Sequence, residues 1–171
     1  MKLQELRETQ KKLYTWKQRN FPNSGAYEQC VGLIEELGEL AHAHLKGSQN
    51  IRHTPAEIVA MKQDAIGDMV VFLLNLMSDL DCKVGLEDDC NGVQNTHFRL
   101  LLDLSETVGL ISTELNRPNP SSCLMWCHHL IKELGIYCIS EGLDFDDCVN
   151  GAVEITLARN WVRFPKNGKS E

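Results

Sequence analysis

Long apolar runs are missing from this chain: none approaches the roughly 20 residues that a membrane-spanning helix needs, so no membrane partner is expected. Alternating strand patterns are nearly absent too, which argues against a β-sandwich or barrel. Proline is scarce, at 5 residues in 171, so most segments can run as uninterrupted helix. Positive charge is also in short supply. Lys and Arg number 17 against 24 Asp and Glu, a formal net charge of -7, and a surface of that sign does not coat nucleic acid. The seven cysteines (Cys30, Cys82, Cys90, Cys123, Cys127, Cys138 and Cys148) include no C-x-x-C pair, and most lie in apolar helical contexts where a thiol acts as a small hydrophobe. Cys123-x-x-x-Cys127-His128-His129 is the one grouping with zinc-ligand residue types, and it lacks a second ligand pair. The first residues, Met1-Lys2-Leu3-Gln4-Glu5, are charged and amphipathic, unlike a secretory leader, so the expected location is the cytoplasm.

What remains is helical periodicity from end to end. A first helix is expected over roughly residues 2–20, closed by the turn cluster Asn20-Phe21-Pro22-Asn23-Ser24-Gly25. A second is expected over roughly 26–46, stopping near Gly47. Thr54 reads as the N-cap and Pro55 as the first residue of a third, over roughly 55–82. The fold class is therefore all-α, an antiparallel helix bundle in a single domain spanning 1–171.

Two acidic clusters stand out on those helices. Glu35-Glu36-Leu37-Gly38-Glu39 places Glu35 and Glu39 four residues apart, and Asp64-Ala65-Ile66-Gly67-Asp68 does the same for Asp64 and Asp68. Each pair projects from one helix face, one turn above the other. The first cluster is embedded in apolar sequence without a nearby basic partner, the second runs into the apolar Met69-Val70-Val71-Phe72 stretch, and like charges so close repel unless a cation neutralises them. A hard divalent ion with oxygen ligands, Mg²⁺ or Mn²⁺, is the natural partner.

The second half echoes the first. Gly85-Leu86-Glu87-Asp88-Asp89-Cys90-Asn91-Gly92 is matched by the stretch from Gly142 to Gly151, and Glu106 falls where Glu35 stands, whereas Ser121 and Met125 fall near the places of Asp64 and Asp68. A tandem-duplicated unit is expected, with residues 1–92 as the metal-binding half and 93–171 as a degenerate repeat-like half ending in a basic tail.

Glu35-Glu36-x-x-Glu39, a spacer, then Gly67-Asp68 ahead of an apolar helix resembles the MazG-like nucleoside triphosphate pyrophosphohydrolases of the all-α NTP pyrophosphatase superfamily, especially those of bacteriophages. The resemblance is strongest over 1–92 and returns from Gly142 to Gly168. It implies hydrolysis of a (deoxy)nucleoside triphosphate to the monophosphate and pyrophosphate with Mg²⁺ as cofactor, in nucleotide-pool control, with a lean to a purine such as dGTP or GTP. A dUTP or dCTP pyrophosphatase, or a non-catalytic helical module that binds a nucleotide or a protein partner, is the alternative. Implied metal ligands are Glu35, Glu36, Glu39, Asp64 and Asp68, with Glu35 or Glu36 as catalytic base. The family's second motif carries a glutamate where this chain has Ala65, and Asp64 is the expected substitute. Implied substrate contacts are Arg159, Arg163 and Lys166 in the tail and Lys62 for the phosphates, with Trp16, Asn20 and Phe21 around the base. His42 and His44 are expected to be partly exposed helix residues. The resemblance also implies a homo-oligomer, dimer or tetramer, within the host cell's cytoplasm if a phage encodes the protein.

Overall fold

The computed structural model describes residues 2–85, 97–117 and 121–169, and in them finds six helices and no strand. They are α1 (Leu3–Asn20), α2 (Ala26–Gln49), α3 (Pro55–Asp79), α4 (His97–Leu115), α5 (Ser121–Glu141) and α6 (Phe145–Ala158). Local chemistry sets their ends. Thr54 caps α3 reciprocally: its Oγ1 accepts from the Glu57 N–H, and the Glu57 carboxylate accepts from the Thr54 N–H at 2.7 Å. Pro55 follows as the first helical residue, where its missing N–H costs nothing. Asp144 opens α6 by accepting from the Asp146 and Asp147 N–H groups.

Two boundaries depart from the sequence reading. Gly47 does not end α2, which runs on to Gln49 and closes at Asn50 in a left-handed conformation, φ 52°. The glycine is there for packing, since a β-carbon on it would sit 3.0 Å from Ile58. At its other end α3 stops at Asp79 instead of reaching residue 82. Asp81 turns left-handed there (φ 55°), and the Cys82 N–H returns to the Met77 carbonyl.

Helices α2 and α3, joined by a five-residue connection, pack along one another as a hairpin, and α4 and α5 form a second. Helix α3 is the axis of the molecule, touching α1, α2, α5 and α6. Its apolar run is almost wholly enclosed: Ala65, Ile66, Met69, Val70, Leu73, Leu74, Leu76 and Met77 have no exposed surface. Leu13, Leu33, Leu40, Leu104, Leu134 and Val149 bring the other five helices onto the same core. Two glycines set close approaches to α3. A β-carbon at Gly67 would fall 2.4 Å from the Cys148 carbonyl oxygen and 2.6 Å from Ala152 Cβ, so α6 lies directly against α3 there. At Gly32 it would overlap the Phe72 ring.

The first copy of the repeated G-L-x-x-D-C-x-N-G segment lies, after Gly85, outside the described residues, whereas the second copy forms the start of α6. On the second hairpin Glu106 and Met125 are exposed. No helix of the described residues is long and apolar enough to cross a membrane.

Candidate functional site

Helices α2 and α3 present Glu36 and Asp68 to one cavity of about 320 Å³, bounded also by the end of α1 and by the chain after α6. Asp68 sits beside the Gly67 contact, so the tight α3–α6 packing fixes the backbone that carries it. Both acids are half-buried, and neither makes an ion pair within 4 Å among the described residues. Burial, then the negative charges of Asp68, Glu39, Glu35 and Asp64, push the Glu36 carboxyl up to about 8. Burial and Asp64 raise Asp68 to about 6, against the opposing pull of the Arg159 guanidinium.

The five acids therefore feel one another but are not equivalent. Glu35, Glu39 and Asp64 are exposed, and only Glu36 and Asp68 line the cavity. Among the described residues no three His, Cys, Asp or Glu side chains converge into a ready cluster for a metal ion. The donor chemistry nonetheless suits a hard cation: two half-buried carboxylates, raised by burial and by the acids around them, are the environment a divalent ion relieves. Ala65, where the resemblance places a glutamate, is fully enclosed in the core, leaving Asp64 on the surface as the nearest acid.

Aromatic rings form the cavity's outer wall. Trp16 and Phe21 meet edge to face at 5.7 Å between centroids, and Phe21 and Trp161 lie 6.3 Å apart. Trp16 Nε1–H donates to the Arg159 carbonyl at 2.8 Å, which ties the first helix to the last. The Arg159 guanidinium lies over the Trp161 ring, 5.7 Å from its centroid, while its buried Nε finds no partner among the described residues. The segment beyond α6 is held in a compact turn: the Asn160 N–H donates to the Gly168 carbonyl at 2.7 Å, and Gly168 (φ 73°) passes against Arg159.

Of the substrate contacts read from sequence, Trp16, Phe21 and Arg159 meet at this cavity. The remainder are placed elsewhere. The Asn20 amide, expected to face a base, is engaged by main chain on both sides: its Nδ2 donates to the Trp16 carbonyl and its Oδ1 accepts from the Trp161 N–H. It braces the wall from behind. Lys62 pairs with Glu141 of α5, not with Asp64, and is nearly buried away from the cavity. Arg163 and Lys166 are exposed and do not line it. His44 is buried, not exposed, with its Nδ1 at 2.9 Å from the Tyr137 hydroxyl, whereas His42 is exposed near His53. The cysteine–histidine grouping is dispersed into the fold. Cys123 and Cys127 are buried, His128 Nε2 accepts from the Gly85 N–H, and His129 faces Glu133.

Sequence reasoning passed over Phe72, Asn75, Thr156 and Trp161, all of which line the cavity. Phe72 and Asn75 follow Asp68 by four and seven residues, a spacing that keeps all three on one helix face and was open to inspection. Comparison with protein-family models, with curated proteins and with solved structures finds no match to this chain.

Proposed function

We propose that this chain is a metal-dependent nucleoside triphosphate pyrophosphohydrolase of the all-α type, releasing pyrophosphate and a nucleoside monophosphate. One observation carries the reading. A single cavity brings together two charge-strained carboxylates, an arginine with an unmet donor and a wall of three aromatic rings. That combination matches the parts of a nucleotide: anionic phosphates at one end and a flat base at the other.

Glu36 and Asp68 would hold the metal, with Glu39, Glu35 and Asp64 adding negative charge around it. Bound there, Mg²⁺ or Mn²⁺ supplies the positive charge that the phosphate oxygens require. The Arg159 guanidinium, held over Trp161, offers its N–H groups to a phosphate oxygen. Glu35, next to Glu36 on α2, would accept the proton of the attacking water while Glu36 stays on the metal. Trp16 and Phe21 stack against the base and keep bulk water from that end.

The test is direct. Purified protein is incubated with each common dNTP and NTP plus Mg²⁺, and the products are resolved chromatographically. Stoichiometric monophosphate and pyrophosphate from at least one nucleotide is the expected result, with a lean to dGTP or GTP. A folded protein that turns over none of them sinks the enzymatic reading and leaves a nucleotide-binding module.

A further inference from the structure

Asn75 is the most deeply buried polar side chain on the cavity wall apart from Lys17, with only 2% of its surface exposed. Lys17 has its partner, Asp79. Asn75 does not: its Oδ1 is enclosed and finds no donor among the described residues. An unmet buried acceptor works against folding, so its presence beside a cavity calls for a donor that arrives with a ligand.

Geometry says which end of the ligand. Asn75 follows Asp68 by seven residues on α3, two turns of helix, which places it about 10.5 Å further along the axis on nearly the same face. A nucleotide whose phosphates lie at Asp68 and Arg159 has room for its sugar across that span, and its base then reaches Asn75. The neighbours favour a base over a sugar. Val71 and Phe72 flank the amide on its own helix, giving a flat apolar surface interrupted by one carboxamide. A carboxamide pairs with the donor and acceptor edge of a base, and each such match discriminates among bases. We infer that the Asn75 carboxamide reads the base of the bound nucleotide, its Oδ1 accepting from a base N–H. The inference rests on the nucleotide reading given above and adds the residue that sets base preference.

Tryptophan fluorescence gives a binding readout independent of turnover, because Trp16 and Trp161 line the same cavity. Wild-type protein and Asn75→Leu are titrated with dAMP, dGMP, dCMP, dTMP and the base-free 2-deoxyribose 5-phosphate. The expected result is that N75L binds the preferred mononucleotide about 10- to 100-fold more weakly. The spread among the four bases should collapse, while the base-free sugar phosphate is unaffected. N75L should melt at or above the wild-type temperature, since the unmet acceptor is gone; Asn75→Ser supplies the same comparison if the leucine variant does not fold. Unchanged affinities and unchanged base preference in the variant would overturn the inference. So would an equal loss for all five ligands, which would assign the amide to the sugar. Wild-type protein that binds none of them overturns it together with the nucleotide reading. Base-selective binding lost in N75L, with no hydrolysis by the wild type, upholds the inference and fails the hydrolase reading alone.

Discussion

The two helical hairpins of this protein bury similar kinds of residues, and they differ where α2 and α3 face the cavity. In the α4–α5 hairpin, Tyr137 meets His44, His128 takes the Gly85 N–H, and Glu133 is met by Thr107 and His129, although its Oε2 finds no donor among the described residues and does not line the cavity. In the α2–α3 hairpin, Glu36 and Asp68 stand without an ion pair, and Asn75 Oδ1 without a donor, among the described residues. Partnered polar groups specify how helices dock. Unpartnered ones beside a cavity can be completed from outside, which separates Glu36, Asp68 and Asn75 from Glu133 of the second hairpin.

The largest effect that would break this contrast is on activity. Glu36→Gln and Asp68→Asn remove the two acids that line the cavity while preserving their shape. Turnover of the best nucleotide should fall by about 100-fold or more, since even the outer supports of a metal site are worth 10- to 100-fold. Stability should hold or rise, because a half-buried charge repelled by its neighbours is lost. An equally severe activity loss from a conservative change in the second hairpin, such as Thr107→Val, would erase the distinction.

Next in size is a dependence of metal-free stability on pH. The folded state raises Glu36 from the ordinary 4.5 to about 8 and Asp68 from 3.8 to about 6. The folded protein thus binds more protons than the unfolded chain in that interval, and stability falls as pH rises through it. Chemical denaturation in EDTA should give a decreasing free energy from about pH 4.5 to 8, levelling above the folded value. Added Mg²⁺ should restore stability at the alkaline end, and Glu36→Gln should flatten the slope. A curve that climbs with pH over this range would contradict the charge strain assigned to the first hairpin.

Gly67→Ala probes the packing under the site. The added methyl meets the Cys148 carbonyl oxygen and Ala152 Cβ, one backbone and one rigid, so α6 must retreat from α3. Overpacking of this sort costs about 1–3 kcal/mol, only partly offset by alanine's better helix propensity. Thermal melts should show the loss, and activity should drop with it because Asp68 and Arg159 are moved apart. Gly151→Ala on α6, where a β-carbon meets nothing, is the control and should be neutral or stabilising.

The helical fold was open to reading because periodicity, the Thr54-Pro55 cap and the turn after Asn20 are all local signals. The acidic pairs were legible as well, but their ranking was not. A four-residue spacing puts Glu35 with Glu39 and Asp64 with Asp68, yet burial divides the five acids differently, leaving Glu36 and Asp68 inside. That division depends on where α6 and the end of α1 lie across the hairpin, a long-range property that no local window contains. Lys62 and Asn20 show the same limit. Their partners, Glu141 and the Trp161 N–H, are 79 and 141 residues away in sequence.

The smallest predicted effect concerns the basic tail, where charge alone is a poor guide. Arg159, Arg163 and Lys166 look alike in sequence, but only Arg159 reaches the cavity and acts on Asp68. The Arg163 guanidinium lies 5.3 Å from the Phe164 ring centroid on the exposed side, and Lys166 is exposed too. Charges in that setting are screened within about 8–10 Å at ordinary ionic strength, so their influence on a bound phosphate is slight. Arg163→Ala and Lys166→Ala should change kcat/KM by less than about 3-fold at 0.15 M salt, whereas Arg159→Ala should raise KM about 10-fold or more through loss of a charge-assisted hydrogen bond. Steady-state kinetics on the three variants decides it. A loss at Lys166 as large as that at Arg159 would mean that the tail folds over the ligand and that the cavity wall extends beyond Trp161.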